Sequence, residues 1–241
     1  MPFFRELDRM LEVRRSLDRG YADHGWLKSY HTFSFDDYYD PVYEEFGALR
    51  VINENRIKPR KGYDSQPHRD VEILTYVIAG ELSHQDSLGN DTIIRAGDIQ
   101  RLSAGTGITQ TELNRSPAQE VHLLQIWIKP SAAGLTPGYE QKHFTAEEKR
   151  GRLRLIASLD GAEGSMRIQQ DTRLYTGSFN ATERTELEVV KGRRAYVHVA
   201  SGSIAVNETR LNAGDGVKIT KPGHFTLQNG RAADVLVFDL P

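Results

Sequence analysis

Short runs in which apolar and polar residues alternate recur along most of the chain, each cut off by Gly, Asn, Asp or Pro. They fall at residues 48–53, 72–78, 92–95, 99–102 and 121–128. After a break they resume at 153–157, 166–169, 173–178, 187–190, 194–200, 203–206, 216–219 and 235–240. A period of two with turn residues between runs predicts a β-sandwich or β-barrel. Trp26 to Phe35 alternates like a strand with rings on both sides, so it needs cover on both faces, and the turn-prone Asp36 to Pro41 follows. Two stretches depart from the pattern. Phe3 to Leu17 reads as a short, peripheral amphipathic helix or arm. Ser131 to Arg152 reads as a linker with one short helix, because Thr145 and Glu148 stand at capping-box spacing.

The chain also resembles itself. Val77-Ile78-Ala79-Gly80-Glu81-Leu82 parallels Val199-Ala200-Ser201-Gly202-Ser203-Ile204. Arg95-Ala96-Gly97-Asp98 parallels Asn212-Ala213-Gly214-Asp215, and each is followed by a second Gly corner, at Gly105 and Gly223. Gly supplies the positive φ of a tight turn and Asp bonds its own backbone, so matching turns in the same order imply a duplicated barrel.

Composition narrows the chemistry. With 31 Lys and Arg against 33 Asp and Glu there is no bulk attraction to nucleic acid or anionic lipid. The absence of Cys excludes disulfides, thiolate nucleophiles and sulfur-ligated metals, leaving imidazole, carboxylate and amide oxygen as the possible ligands. The early charges at Arg5 and Glu6 and the lack of long apolar stretches make a cytoplasmic protein the expectation. Potential ligands gather in two runs, Gly62 to Glu72 and Gly97 to Asn114, both attached to strand-like segments.

Several motifs resemble the cupin superfamily and, more closely, the pirin family of bicupins, which includes proteins described as quercetin 2,3-dioxygenases. They include His24-Gly25-Trp26, His31-Thr32-Phe33-Ser34-Phe35, Pro67-His68-Arg69-Asp70-Val71-Glu72, His84-Gln85-Asp86-Ser87-Leu88-Gly89-Asn90, Ser103-Ala104-Gly105-Thr106-Gly107, and Leu124-Gln125-Ile126-Trp127-Ile128. Together with others they cover nearly the whole chain. The resemblance implies an all-β bicupin, two jelly-roll-like barrels packed together with a short helical linker. Residues 1–135 would form the N-terminal barrel with its arm, 136–160 the linker, and 161–241 a structural C-terminal barrel, with strands exchanged between barrels near both termini.

In that family one divalent metal, usually iron, is held by three His and one Glu. Carried over, the ligand positions fall on Gln66, His68, Gln110 and Glu112, so two imidazoles have become amides. Amide oxygen is a harder and weaker donor, and the remaining set suits magnesium, calcium or manganese better than iron. The expectation is therefore one divalent metal, iron as in the family or a harder cation such as manganese or magnesium, or none. Residues two apart on a strand face one side, so all four side chains converge. Glu72, where many cupins carry a carboxylate ligand, is a weaker substitute, with pairing to Arg69 or another base as its plainer role. His24, His31 and His122 read as packing residues, His84 as exposed on a hairpin, and His224 as a corner residue without a His-x-His run.

Three functions follow. The first is a small-molecule or partner-binding pirin with a degenerate site, its ligand a small aromatic of flavonoid type. The second is a metal-dependent quercetin 2,3-dioxygenase-type enzyme in which Glu112 is both ligand and proton acceptor. The third is a transcription-cofactor-like role through a protein interface, without direct nucleic-acid contact.

Overall fold

The structure, a computed structural model, describes residues 11–241. Its first element is extended rather than helical. Leu11–Arg14 forms β1, antiparallel to Gly216–Ile219, with Leu11 and Val13 packed on a buried apolar cluster. Two apolar side chains two residues apart reach one core only from a strand, and β-branched Val13 favours that state. Of the two expected forms, helix or arm, the described part is an extended arm as far as Arg14, followed by a short 3-10 turn at Ser16–Asp18; the earlier part lies outside the described residues.

Residues 20–144 and 159–170 make one compact unit. Its strands are β2 (Gly20–Asp23), β3 (Leu27–His31), β4 (Leu49–Ile57), β5 (Gly62–His68), β6 (Glu72–Ala79), β7 (Glu81–Asp86), β8 (Asp91–Arg95), β9 (Asp98–Ser103), β10 (Ile108–Leu113), β11 (Val121–Ile128) and β12 (Gly138–His143). They form two sheets, a seven-stranded one ordered β12-β9-β6-β11-β4-β3-β2 and a four-stranded one ordered β5-β10-β7-β8. All these pairings are antiparallel. Two apolar clusters fill the space between them. One gathers Leu27, Ile57, Val77, Leu82, Ile94 and Leu123; the other gathers Ile73, Leu102, Ala104 and Ile108.

Residues 11–19, 145–158 and 171–241 make the second unit. The stretch read as a linker divides: its first part is β12, paired along its length with β9, and its second is the helix α1 (Ala146–Lys149). The capping box forms as expected, with Thr145 Oγ1 accepting from Glu148 N–H at 3.3 Å and Glu148 Oε2 accepting from Thr145 N–H at 2.8 Å. Then come β13 (Arg154–Ser158), β14 (Met166–Arg167, counted with the first unit), β15 (Arg173–Phe179), β16 (Thr185–Val189), β17 (Arg194–Val206), β18 (Thr209–Asn212), β19 (Gly216–Ile219) and β20 (Gly223–Leu240). The runs 194–200 and 203–206 are one strand, its register shifting between Val199 and Ala205. Strand β20 pairs with β15, β16 and β17 over a core that includes Phe179, Val197, Val217, Phe225 and Val237.

The internal repeat has a physical counterpart. Gly97 and Gly214 have φ of +92° and +81°. In each turn the following aspartate accepts the backbone N–H three residues back, Asp98 from Arg95 at 2.9 Å and Asp215 from Asn212 at 3.0 Å. The fold is all-β, with the same turn built twice.

Candidate functional site

In the seven-stranded sheet the register lines up one row of polar side chains. Gln141 stands opposite Gln100, Gln100 opposite Thr75, Thr75 opposite Gln125, Gln125 opposite Asn53, and Asn53 opposite His31. Directly opposed residues share a face, so the row crosses the sheet on the side that looks toward the four-stranded sheet. Five of the six are buried: Gln100, Thr75, Gln125, Asn53 and His31. One apolar cluster lies on each side of the row, because Ile73 and Val77 flank Thr75 two residues away along β6. A polar layer is thus sandwiched inside the barrel.

The four-stranded sheet answers with polar side chains of its own. Gln110 is flanked by Gln66 on β5 and Asp86 on β7, and Glu112 by Tyr63 and His84. A β-bulge makes this possible: β10 advances two residues from Gln110 to Glu112 while β5 runs back three, from Gln66 to Tyr63. Beside it, Gly62 approaches β10 so closely that a Cβ would lie 2.0 Å from the Glu112 carbonyl oxygen. Only glycine fits there.

Of the four positions carried over from the resemblance, Gln66, His68, Gln110 and Glu112 all lie on this patch. The Gln110 amide nitrogen and His68 Nε2 are 3.2 Å apart, so the amide donates to the imidazole nitrogen. Glu112 Oε2 accepts from Gln125 Nε2 at 3.2 Å, a bond that joins the two sheets. Gln110 and Glu112 are 2% and 1% exposed, and Gln110 Oε1 and Glu112 Oε1 make no hydrogen bond. Burial pushes the Glu112 carboxyl up to about 7 and pushes His68 below the usual histidine range, so both neutral forms are favoured. Burial, with the nearby Glu112 charge, likewise raises Tyr63. Among the described residues no three His, Asp or Glu side chains come together in a way that could hold a metal.

A cavity of about 330 Å³ opens beside this patch. His68, Gln66 and Tyr63 line it from one sheet, and Trp127, Gln125, Asn53, His31 and Ser29 from the other, with Phe35 alongside. Trp127 meets both Phe35 and His68 edge to face, with ring centroids 5.4 and 5.5 Å apart. The polar wall is itself tied together: Ser29 Oγ donates to Asn55 Oδ1 at 2.6 Å, His31 Nδ1 lies 2.9 Å from Asn53 Oδ1, and Asn55 Nδ2 donates to Tyr63 Oη at 3.3 Å. Such a space offers a planar ligand aromatic faces together with hydrogen-bonding groups.

Other candidates go elsewhere. Glu72 is offset by three residues from Thr75, so it lies on the opposite face of β6, where it accepts from Ser103 Oγ at 2.8 Å and Gln169 N–H at 3.3 Å. Its neighbouring base is Arg101, not Arg69. His84 corrects the expectation of exposure: its side chain is fully buried, Nε2 lies 3.1 Å from Asp86 Oδ2, and the ring stacks on Tyr139. The hairpin does turn outward after it, but the alternation puts His84 on the inner face. His122 pairs with Glu54 at 2.8 Å and His224 with Glu186 at 2.9 Å. The parity of Gln125 with Trp127 was the signal for the cross-sheet partner of Glu112, and sequence reasoning passed over it.

Comparison with known proteins agrees with this architecture. A family model described as Pirin matches residues 11–128, and one described as Quercetinase C-terminal cupin domain matches residues 155–240. Quercetin 2,3-dioxygenase of Escherichia coli (strain K12) is 41% identical over 232 residues, covering 96% of this chain and 99% of that protein. A pirin-like protein of Caulobacter vibrioides is 40% identical over 229 residues, covering 94% and 98%. The crystal structure of the bacterial pirin YhhW from Escherichia coli in complex with nickel(II) superposes with a TM-score of 0.92 at 40% identity, covering 96% of this chain and 99% of that one. Duplicated turns, two antiparallel β units and whole-length similarity lead to one assignment: the chain belongs to the pirin family of bicupins.

Proposed function

We propose that this pirin binds a small hydroxylated aromatic molecule in its N-terminal unit, and that its transition-metal site has given way to hydrogen bonds, leaving little or no oxygenase activity. The observation that carries this reading is the 3.2 Å contact between Gln110 Nε2 and His68 Nε2, which engages the one imidazole nitrogen at the four positions with an amide N–H. The donors present do not fit iron. One imidazole, one carboxylate and two amides are a weak set for it, and hard cations such as manganese or magnesium suit them better. The cavity supports the ligand class, with Trp127 and Phe35 for the ring and Tyr63, Gln66, His68 and Asn53 for its hydroxyls. At about 330 Å³ it is near the small end of the usual range for such sites, about 300–1,000 Å³.

A second reading rests on the names of the relatives and on Glu112. A buried carboxyl poised near 7 has the basicity to take the proton of a phenolic substrate during ring cleavage of the quercetinase type. Elemental analysis of protein purified without chelator separates the two, alongside the Gln66→His, Gln110→His double variant. The first reading expects no stoichiometric transition metal in the native protein and tight nickel or iron in the variant. Stoichiometric iron in the native protein, with oxygen uptake on quercetin, would establish the second.

A further inference from the structure

Around Glu112, hydrogen bonds, ring stacking and strand register link seven side chains in a ring. Glu112 is bonded to Gln125 at 3.2 Å. Gln125 stands opposite Thr75, Thr75 opposite Gln100, and Gln100 opposite Gln141. The Tyr139 hydroxyl donates to Gln141 Oε1 at 2.8 Å, its ring stacks on His84 with centroids 5.1 Å apart, and His84 stands opposite Glu112. The two apolar clusters cap the ring on either side. Thr75, Gln100, His84 and Glu112 are at most 1% exposed.

Within this ring polar atoms stand without hydrogen-bond partners: Thr75 Oγ1, Glu112 Oε1, His84 Nδ1, and both amide atoms of Gln100. The Gln100 amide lies beside the Tyr139 hydroxyl and works against the rise in its pKa that burial causes. His84 Nδ1 is the acceptor end of the ring, since Nε2 donates to Asp86 Oδ2 at 3.1 Å. Asp86 is in turn fixed by the Leu88 and Asn90 backbone N–H groups at 2.9 and 3.1 Å. Leaving so many buried polar atoms dry would destabilise the fold.

We infer that this ring encloses a second site, a closed chamber that holds a small cluster of ordered water distinct from the ligand cavity. Mixed donors and acceptors select the occupant. The Thr75 hydroxyl and the Gln100 amide nitrogen donate, His84 Nδ1 and Gln100 Oε1 accept, and Glu112 Oε1 donates when protonated and accepts when ionised, which suits water and disfavours a cation. A buried water takes two to four polar partners, and the ring supplies at least that many. Glu112 therefore meets water at Oε1 and the cross-sheet amide of Gln125 at its other oxygen. The cluster bridges it to the His84–Asp86 pair.

The test uses the full chain. A crystal structure of the native protein at a resolution that shows bound water is expected to place at least one water within hydrogen-bonding distance of both Thr75 Oγ1 and His84 Nδ1. Oxygen-17 relaxation dispersion is expected to lose at least one long-lived water in Thr75→Val, a change that keeps side-chain shape, and the melting temperature is expected to fall. An empty chamber in the native crystal overturns the inference. So does a Thr75→Val protein that melts higher with unchanged dispersion, because removing a dry, unsatisfied hydroxyl stabilises.

Discussion

Gln125 on β11 donates to Glu112 on β10 at 3.2 Å, and this bond joins the two sheets of the N-terminal unit through residues that are 6% and 1% exposed. A buried carboxyl that loses its donor keeps its desolvation penalty and gets nothing back. Gln125→Leu is expected to cost about 1–3 kcal/mol in urea unfolding at pH 8. The loss should be smaller at pH 5, where the Glu112 carboxyl is neutral. Equal losses at the two pH values would show that the amide does not serve the carboxylate.

The raised Glu112 carboxyl also makes stability depend on pH. The folded protein keeps a proton up to about 7 that the unfolded chain releases near the ordinary carboxylate value of 4.5. This contribution is complete below the unfolded value and is lost as pH rises through about 7, a span on the order of 3 kcal/mol. Glu112→Gln is expected to flatten the fall in unfolding free energy between those pH values, as read from urea titrations. A slope that survives the substitution would place the titrating group elsewhere.

Gly62 is predicted to tolerate no side chain. With a Cβ 2.0 Å from Glu112 O and 2.6 Å from Leu113 Cα, Gly62→Ala must push β5 off β10. Overpacking of this kind costs about 1–3 kcal/mol. Calorimetry of the variant checks it, and an unchanged melting temperature would mean that the strands part without cost.

Trp127 is expected to anchor the ring of a bound aromatic. Trp127→Ala should weaken quercetin binding about ten-fold by titration calorimetry, in line with about 0.5–1.5 kcal/mol for an aromatic pair beyond its buried area. His68→Ala, which removes the edge-to-face partner of Trp127, should weaken it less. Unchanged affinity in Trp127→Ala would move the ligand out of this cavity.

Much of this was legible in the residues, and the gaps share a cause. The apolar runs at 72–78 and 121–128 became β6 and β11, and the repeated Ala-Gly-Asp turn reappeared with the same aspartate bond. Strands β7 and β12 fell outside the apolar runs because their inward residues include the polar His84 and Gln141. Alternation in sequence marks which residues share a face, but a polar residue facing a hydrated or ligand-bearing interior looks the same as one facing solvent. His84 was misplaced for this reason. Gln66, His68, Gln110 and Glu112 lie on the paired strands β5 and β10, where Gln110 meets His68, whereas parity with Trp127 marks only the face of Gln125, and its bond to Glu112 depends on register between strands distant in sequence.

The pairing of β1 with β19 bears on how the chain reaches its native state. Leu11–Arg14 leaves the ribosome before any other described strand, yet its partner Gly216–Ile219 appears only after the whole N-terminal unit has been made. Until then Leu11 and Val13 have no core to cover, and an apolar strand edge waits in solution while some 200 residues are added at about 5–20 per second. The second unit therefore completes its fold after synthesis has passed β19, and β1 stays open to a chaperone or a wrong partner during that interval.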